Sequence, residues 1–476
     1  MSDFETRLFI NGEYVESKSS ERLTCYNPVD NSVVTSDVHV AGKEDIDAAV
    51  AAARAAFPKW AATPSQKRQE IIVKFASLLE EHSRDISRLE CIVTGKPISM
   101  APFETQLAAS IFRYYAGWID KVDGESFPVE NGFMRFVRRE PIGVCAGIFA
   151  FNGTMAQVGM KSGACLAMGN TAILKPSEKT PLAAIYIGKL AKEAGFPPGV
   201  FQVVNGRGET GSLLASHMDI DKISFTGSVG TGKKIAQMAA ASNLKKVTLE
   251  LGGKSPSIVF PDANLEVATT WCVQGITINA GQVCIASSRV YVHKDIKEKF
   301  VAAMKTAFEK TTEFVGDPQS ADTRIGTLAD KIQFDRVSKY IENGKSEATL
   351  VTGGDQMFGE ASLPHTNPKP DAKIYKEEIF GPVVVISEFE DEDDVVARAN
   401  DSPFGLAGAV FSQDINRALR IAANVKAGTM CINCCSKLDP TVPFGGYKAS
   451  GWGREMGKAG IDAYTQLKTV FVNMTY

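Results

Sequence analysis

The sequence predicts an α/β protein with two parallel-sheet domains and a small β arm. A chain of 476 residues is too long for one hydrophobic core, so two or three domains are expected. Short apolar runs rich in Ile, Val and Phe alternate with helical stretches, which is the pattern of parallel sheets covered by helices. Two β-rich segments lie outside this alternation and predict the arm.

The first predicted elements are helices. Residues 41–57 carry Asp45 and Asp47 ahead of an alanine-rich run, and an acidic first turn followed by alanine favours an N-capped helix. A second helix is predicted over 66–83. Both precede the first strand of the alternating region.

The alternation of strands and helices begins at residue 143 and divides into two regions. The first region, which includes a predicted helix over 181–194, indicates a nucleotide-binding architecture, and the second predicts another α/β domain. The strands are predicted at 143–151, 170–174, 200–204, 222–225 and 246–251 in the first region, and from 257 and at 289–292, 383–389, 408–411 and 429–433 in the second.

The arm is predicted from two separated segments. Residues 123–139 alternate apolar and polar side chains as a β-hairpin does, and the tail 469–474 is rich in residues that favour strands. Unpaired strand edges associate with other strands. These segments therefore predict contacts between copies of the chain.

The composition favours a small-molecule enzyme of the cytoplasm. With a net charge of −3 and 22% charged residues, the chain has no excess of positive charge that would favour binding to nucleic acid or to an anionic membrane. Residues 1–5 are acidic where a targeting segment would be basic, and no apolar run approaches the ~18 residues of a membrane span. The nine cysteines, an odd number, indicate reduced thiols.

A cluster of three of these thiols has two interpretations. Cys431, Cys434 and Cys435 suit zinc by ligand type. No second cysteine or histidine pair stands at ligand spacing, which favours a strand end packed with small thiols and predicts no metal.

Cys284 and Glu250 form a candidate catalytic pair. A thiol nucleophile with a separate carboxylate base can form a thioester and then hydrolyse it. Each lies beside glycines, in the segments 279–284 and 250–256, and glycine lets backbone approach a substrate closely. The five histidines lie in segments without motif character, which disfavours a Cys-His hydrolase.

Six motifs in the same order resemble the aldehyde dehydrogenase superfamily, and the resemblance covers nearly the whole chain. It implies a Rossmann-like cofactor domain at 1–122 and 142–252, a catalytic domain at 253–449, and oligomerisation segments at 123–141 and 450–476 in a homodimer or homotetramer. The motifs lie at 113–118, 195–199, 248–254, 281–284, 377–382 and 443–448.

The resemblance implies three catalytic roles in oxidation of an aldehyde to a carboxylic acid. Cys284 would attack the aldehyde, and Asn152 would donate its side-chain amide to the resulting oxyanion. Glu250 would activate water against the acyl thioester. Relatives that transfer the acyl group to coenzyme A lack this glutamate, so the resemblance implies the non-acylating type, with CoA acylation as the alternative.

The phosphate site is expected at residues 227–232. A glycine-rich turn that leads into a helix, predicted to begin near Lys233, presents free N–H groups to phosphate. A P-loop would require a hydroxyl residue where Lys234 stands, which disfavours an NTPase. Ser228 is the phosphate contact that the resemblance implies.

The resemblance also implies that the cofactor is NAD, with NADP possible. Lys175 and Glu178 would contact the adenosine ribose, and a carboxylate there repels a 2′-phosphate; Lys179 could soften that repulsion. Gln333 is either a ribose contact or an exposed helical residue. The other expected cofactor contacts are Phe151, Ser177, Gly208, Gly227, Leu251, Glu378 and Phe380.

Three positions depart from relatives that act on small aldehydes. The common loop Pro-Trp-Asn-Phe-Pro becomes residues 150–154 with Gly153 after the asparagine, and Ile278 and Leu438 stand where phenylalanine is frequent. These changes predict a wider tunnel for a bulky, aromatic or long-chain aldehyde, with Lys437 near its mouth to meet an acidic group. The segment 361–376 is shorter and richer in proline than its counterpart.

Overall fold

A computed structural model describes residues 4–353, 363–366, 368–369 and 371–475 and confirms the α/β class. Two large sheets, of eight and seven strands, carry helices on both faces. Of the proline-rich segment 361–376, residues 361–362, 367 and 370 lie outside the described residues. None of the helices in the described ranges is long and apolar enough to cross a membrane.

The first sheet has a parallel centre and antiparallel edges, in the order β19-β11-β10-β7-β8-β9-β1-β2. All the strands predicted in the first region are present within a few residues of the expected bounds. The strands are β1 (Leu8–Ile10), β2 (Glu13–Val15), β7 (Val144–Ile148), β8 (Thr171–Lys175), β9 (Phe201–Val203), β10 (Lys222–Thr226), β11 (Lys246–Glu250) and β19 (Gly451–Trp452).

The parallel strands of the first sheet end together at one edge. The register pairs Ile148 with Lys175 and Thr226 with Glu250, so the carboxyl ends of β7, β8, β10 and β11 are neighbours. In open α/β sheets ligands bind at this edge. The candidate residues that follow these strands therefore meet in space.

Helices cover both faces of the first sheet. α5, all of whose residues are buried, packs with α2, α4 and α6 on one face, while α1, α7 and α8 cover the other. The helices of this part are α1 (Lys43–Ala61), α2 (Ser65–Glu81), α3 (Ser83–Thr94), α4 (Ala101–Ala116), α5 (Thr154–Ala167), α6 (Leu182–Ala194), α7 (Gly208–Ser216), α8 (Val229–Ala241) and α15 (Gly457–Ala463).

The second sheet has the order β14-β15-β16-β13-β12-β17-β18 and is parallel except at β14. Its strands are β12 (Pro256–Val259), β13 (Arg289–His293), β14 (Thr349–Leu350), β15 (Leu363–Thr366), β16 (Val383–Phe389), β17 (Ala407–Phe411) and β18 (Thr429–Ile432). Its helices are α9 (Leu265–Thr277), α10 (Lys297–Thr311), α11 (Lys331–Glu347), α12 (Lys373–Lys376), α13 (Glu392–Asn400) and α14 (Ile415–Asn424).

The predicted hairpin and β-rich tail form one sheet. β5 (Glu125–Glu130) and β6 (Phe133–Pro141) are the hairpin, and β20 (Thr465–Asn473) pairs antiparallel with β6 along its whole length. A separate two-stranded sheet joins β3 (Arg22–Tyr26) and β4 (Val33–His39). Every residue of β5 is exposed, so this edge is open to solvent.

The start of α8 differs from the expectation. The helix begins at Val229 rather than near Lys233, so most of the glycine-rich segment is helical. Ser228 caps the helix because its side chain accepts a hydrogen bond from the backbone N–H of Thr231 at 3.3 Å. The cap supplies the start signal despite the low helix propensity of glycine.

A buried ion pair joins α5 to the chain ahead of α15. Lys161 Nζ lies 2.7 Å from Glu455 Oε1, and both side chains are almost fully buried. Ser224 Oγ on β10 donates to the same carboxylate oxygen at 2.7 Å. The pair therefore ties a helix, a strand of the first sheet and the C-terminal region together.

We expect Lys161→Met to reduce the free energy of unfolding by about 3–5 kcal/mol, because it leaves the Glu455 carboxylate buried without its cation. Urea denaturation followed by circular dichroism measures the change. The control is Lys192→Met, since the Lys192–Glu13 pair lies on the surface and such pairs contribute about 1 kcal/mol or less. Equal losses in the two variants would contradict the structural role of the buried pair.

Candidate active site

Cys284 follows a tight loop at the end of α9. Asn279 and Ala280 adopt left-handed backbone angles with φ of 48° and 53°, and Gly281 follows with φ of 71°. A Cβ on Gly281 would lie 2.3 Å from the carbonyl carbon of Gly381, so glycine is required there. The loop brings Cys284 to a half-buried position.

Gln282 fixes this loop from inside. Its side chain is buried, accepts a hydrogen bond from the backbone N–H of Ala329 at 2.9 Å and donates to the carbonyl of Asn279 at 3.1 Å. The amide thus spans the turn and connects it to the segment ahead of α11. Such bonds offset the cost of the left-handed residues.

Glu250 is the last residue of β11 and is buried. Neither of its carboxylate oxygens has a hydrogen-bond partner among the described residues, and a Cβ on Gly445 would lie only 2.8 Å from Oε1. Burial raises the pKa of the Glu250 carboxyl well above its usual range, and the nearby Glu455 raises it further. A carboxyl in this state can accept a proton near neutral pH or above.

The charges of two nearby carboxyls, Glu250 and Glu378, affect the pKa of the Cys284 thiol. The carbonyl oxygen of Cys284 would be 2.1 Å from a Cβ on Gly253, three residues after Glu250. Burial raises the pKa of the Cys284 thiol to about 12, and the negative charges of Glu378 and Glu250 contribute. The thiol is therefore protonated until a positive charge or a base acts on it.

Asn152 lies beside the loop that precedes Cys284. It belongs to the short 3-10 turn Phe151–Gly153 between β7 and α5. Its carbonyl oxygen accepts a hydrogen bond from the side chain of Asn279 at 3.2 Å. The structure thus brings the predicted asparagine next to the predicted nucleophile's loop.

Glu378 contacts the turn after Glu250. Its Oε1 accepts a hydrogen bond from the backbone N–H of Gly253 at 2.9 Å, and a Cβ on Gly252 would lie 2.3 Å from Oε2. Burial raises the pKa of Glu378. A second carboxyl therefore stands within the same small region as Glu250 and Cys284.

Phe380 and Gln333 occupy positions that the sequence did not resolve. Phe380 has a left-handed φ of 63°, and its ring meets the Phe151 ring edge-to-face with centroids 5.8 Å apart. Of the two alternatives for Gln333, the exposed helical residue is wrong: the side chain is buried, and its Nε2 donates to the Phe380 carbonyl at 2.6 Å. Gln333 thus holds the strained residue in place.

The carboxyl edge of the first sheet provides a surface that fits a dinucleotide. A Cβ on Gly208 or Gly230 would have no neighbour within 4 Å in the described ranges, which leaves open space over the N-termini of α7 and α8. The capped α8 N-terminus at Ser228 suits phosphate. Leu251 packs beneath this helix, because a Cβ on Gly232 would lie 2.6 Å from its Cδ2.

The residues after β8 complete this surface. Ser177 and Glu178 are half-buried, while Lys175 is buried and its Nζ donates to the Pro176 carbonyl at 3.0 Å. Burial lowers the pKa of Lys175 to about 8. Lys179 forms an ion pair with Asp330 at 2.6 Å, so its charge is already compensated.

Lys437 and the thiol cluster contact α9. Lys437 Nζ stacks over the Trp271 ring at 4.8 Å from the centroid, and Cys435 Sγ lies 3.1 Å from the Trp271 carbonyl oxygen. Among the residues that the structure describes, no group of three or more His, Cys, Asp or Glu side chains could hold a metal ion.

Sequence reasoning missed the residues that support the site. The buried polar side chains Gln282, Lys161 and Glu455 hold loops or set charges. Gln282 lies inside the motif 281–284 without a predicted role, and Lys161 and Glu455 lie outside the six motifs. A single signal existed: Gln157 and Lys161 are polar residues in a helix that is otherwise apolar or small. Such a pattern predicts buried polar partners.

The comparisons with known proteins agree with this geometry. A family model described as aldehyde dehydrogenase family matches residues 14–470. An aldehyde dehydrogenase of Davidiella tassiana is 44% identical, with 98% of this chain and 95% of the relative covered.

Two solved structures share the whole fold. A γ-glutamyl-γ-aminobutyraldehyde dehydrogenase of Burkholderia cenocepacia has a TM-score of 0.96 and 41% identity, covering 99% of this chain and 97% of that chain. An indole-3-acetaldehyde dehydrogenase of P. syringae, solved in complex with NAD⁺, has a TM-score of 0.96 and 37% identity, with the same coverage.

We expect alkylation of Cys284 by iodoacetamide to rise about tenfold per pH unit through pH 10, because the thiol pKa of about 12 leaves the thiolate scarce. Glu378→Gln removes a negative charge that raises this pKa, so alkylation at pH 8 becomes faster. Peptide mass spectrometry assigns the labelled cysteine. The control is Glu377→Gln, which changes the adjacent exposed carboxylate; equal acceleration in both variants would contradict the electrostatic assignment.

Proposed function

The chain belongs to the aldehyde dehydrogenase family, and from this premise we propose that it oxidises a bulky, aromatic or long-chain aldehyde through a thioester on Cys284. Oxidation of an aldehyde to the acid with a nicotinamide dinucleotide is the activity of this family, and the neighbours include NAD⁺ complexes. The observation that carries the proposal is the buried Glu250 carboxylate beside the Cys284 segment, which accepts no hydrogen bond from the part of the chain that the structure describes.

The first step that we propose is loss of the Cys284 thiol proton to water, followed by attack of the thiolate sulfur on the aldehyde carbon. The amide of Asn152 and the backbone N–H of Cys284 would donate hydrogen bonds to the oxygen as it gains negative charge. The contact between Asn279 and the Asn152 carbonyl supports this role, because it fixes the two loops relative to each other. Removal of one such donor typically costs about 10²–10³ in rate.

The second half of the proposed reaction is hydrolysis. Oxidation of the adduct on Cys284 to an acyl thioester needs a hydride acceptor, which is the chemistry that NAD⁺ would supply if Glu378 and Phe380 hold its nicotinamide half. Glu250 would then take a proton from water as the water attacks the thioester carbonyl. The Lys161–Glu455 pair beyond Glu250 sets the charge around this base, since Lys161 lowers and Glu455 raises its pKa.

The dinucleotide would lie along the carboxyl edge of the first sheet. Lys175, Ser177 and Glu178 would face the adenosine ribose, while Ser228 and the glycines 208 and 227 would face the pyrophosphate. Phe151, Leu251, Gln333, Glu378 and Phe380 would surround the nicotinamide half. The Glu178 carboxylate and the engagement of Lys179 by Asp330 support a preference for NAD over NADP.

The tunnel residues support a large substrate. Gly153 has no side chain, so the loop lacks the bulk of the phenylalanine that relatives carry there, although a Cβ at this position would already be in contact with Gln157 at 3.5 Å. Ile278 and Leu438 are smaller than the phenylalanines of relatives that act on small aldehydes. The names of the two solved neighbours, an indole aldehyde and a glutamyl-aminobutyraldehyde dehydrogenase, agree with an extended or aromatic substrate. Lys437 would meet an acidic group at the mouth.

The division into domains and the assembly are also proposals. We place the cofactor domain at 1–122 and 142–252, the catalytic domain at 253–449, and the oligomerisation segments at 123–141 and 450–476. Exposed Phe127, Val129 and Phe471 on the three-stranded arm favour a homodimer or homotetramer. An acylating enzyme is not favoured, because Glu250 occupies the position of the hydrolytic base.

A spectrophotometric panel tests the function. With NAD and NADP at equal concentrations, we expect higher kcat/KM for benzaldehyde and hexanal than for acetaldehyde, and faster turnover with NAD. The same assay tests the nucleophile. Cys284→Ala is expected to form no reduced nicotinamide, while Cys25→Ala in β3 is expected to retain activity. Turnover by Cys284→Ala would refute the nucleophile, a preference for acetaldehyde would reject the wide tunnel, and strict dependence on coenzyme A would favour acylation.

The pH dependence of kcat tests the base. Glu250 acts when it is deprotonated, and its raised pKa moves the rising limb of the kcat profile to higher pH than an ordinary carboxyl would give. Glu250→Gln is expected to remove this limb and lower kcat about 10²–10⁴-fold, while one burst of reduced nicotinamide per site remains. The control is Glu388→Gln on the exposed end of β16; an unchanged kcat in Glu250→Gln would contradict the role.

A further inference from the structure

The loop that carries Asn152 has glycine directly after the asparagine. Gly153 and Thr154 stand where the family loop has phenylalanine and proline. Gly153 has φ of −160° and ψ of 58°, outside the ordinary helix and strand regions. Glycine has more conformational freedom to lose than any other residue, so this loop needs a restraint from elsewhere.

Gln157 supplies that restraint. It lies in the first turn of α5, where its side chain is buried. Its Oε1 accepts a hydrogen bond from the backbone N–H of Ala150 at 3.0 Å, and its Nε2 donates to the carbonyls of Ala150 and Gly153, each at 3.1 Å. Both donors of the amide are used, so Gln157 has none left for a ligand.

Asn279 restrains the same loop from the opposite side. Its side chain donates to the Asn152 carbonyl at 3.2 Å. The backbone of 150–153 is therefore fixed at three of four residues, and Gln157 supplies three of the four hydrogen bonds. The side chain of Asn152 is left half-buried on this fixed backbone.

We propose that Gln157 is a positioning residue that aims the Asn152 amide at the oxyanion. The inference rests on the role of Asn152 in the proposed function. Without the clamp, the loop samples other conformations and the amide donor is misaligned as charge develops. Loss of the donor itself sets the upper limit of about 10²–10³ in rate, so we expect a fall of about 10–100-fold when the clamp is lost.

The test measures the single-turnover rate of reduced nicotinamide formation with benzaldehyde and saturating NAD. Gln157→Leu is expected to lower this rate about 10–100-fold with the KM for NAD within twofold of the wild-type value. Gln157→Glu keeps the side-chain volume and the hydrogen-bond acceptor but loses both donors, so the same fall in the single-turnover rate is expected. This variant replaces Gln157→Leu in the test if the leucine variant does not fold.

Gln202 provides a matched control. It is a buried glutamine in β9 whose Oε1 accepts from the Asn11 N–H at 3.1 Å and whose Nε2 donates to the carbonyls of Ala49 at 2.8 Å and Gly199 at 3.4 Å. Gln202→Leu should lower Tm as much as Gln157→Leu but leave the single-turnover rate within twofold. Equal loss of rate in both variants would overturn the inference.

A double-mutant cycle shows whether Gln157 acts through Asn152. The variant carrying both Asn152→Ala and Gln157→Leu should be no slower than Asn152→Ala alone. A further fall in rate, or a normal rate in Gln157→Leu beside an impaired Asn152→Ala, would overturn the inference and leave the proposed function intact. A normal rate in Asn152→Ala would instead overturn the oxyanion role in the proposed function.

Discussion

The close approach of Gly253 to the Cys284 carbonyl determines how the two large sheets meet. The turn 252–253 leads from β11 of the first sheet to β12 of the second, and a side chain on Gly253 would collide with the Cys284 backbone. Ser450 donates to the Gly252 carbonyl at 2.6 Å, and Glu378 accepts from the Gly253 N–H at 2.9 Å. One turn without side chains thus holds Glu250, Cys284 and Glu378 close together.

That proximity has an electrostatic consequence. Glu250 and Glu378 both raise the Cys284 pKa, and burial acts in the same direction for all three groups. Burial and these charges therefore disfavour the thiolate form of Cys284. A positively charged nicotinamide ring nearby would shift this balance toward the thiolate, because an opposite charge favours the ionised form.

Local sequence patterns predicted most of the fold, since strands and helices differ in the periodicity of their apolar residues. The predicted start of α8 was wrong because the glycines at its N-terminus have low helix propensity, and the only start signal is the cap residue Ser228. The motifs contain Cys284 and Glu250, and Asn152 was predicted from the resemblance of the loop 150–154. The Lys161–Glu455 pair was beyond sequence reasoning, because its members lie 294 residues apart and no local pattern couples them.

The sequence left the burial of Gln333 open because its partner Phe380 lies 47 residues away along the chain. This burial shows how the site is supported. Three buried glutamines each hold one functional loop: Gln157 holds the loop of Asn152, Gln282 that of Cys284, and Gln333 that of Phe380. A neutral amide both donates and accepts, so it can pair with backbone groups without adding charge. Near the two carboxyls that face Cys284, a charged support would shift the pKa values on which the proposed chemistry depends. Amide supports therefore let the loop geometry be fixed independently of the charges at the site.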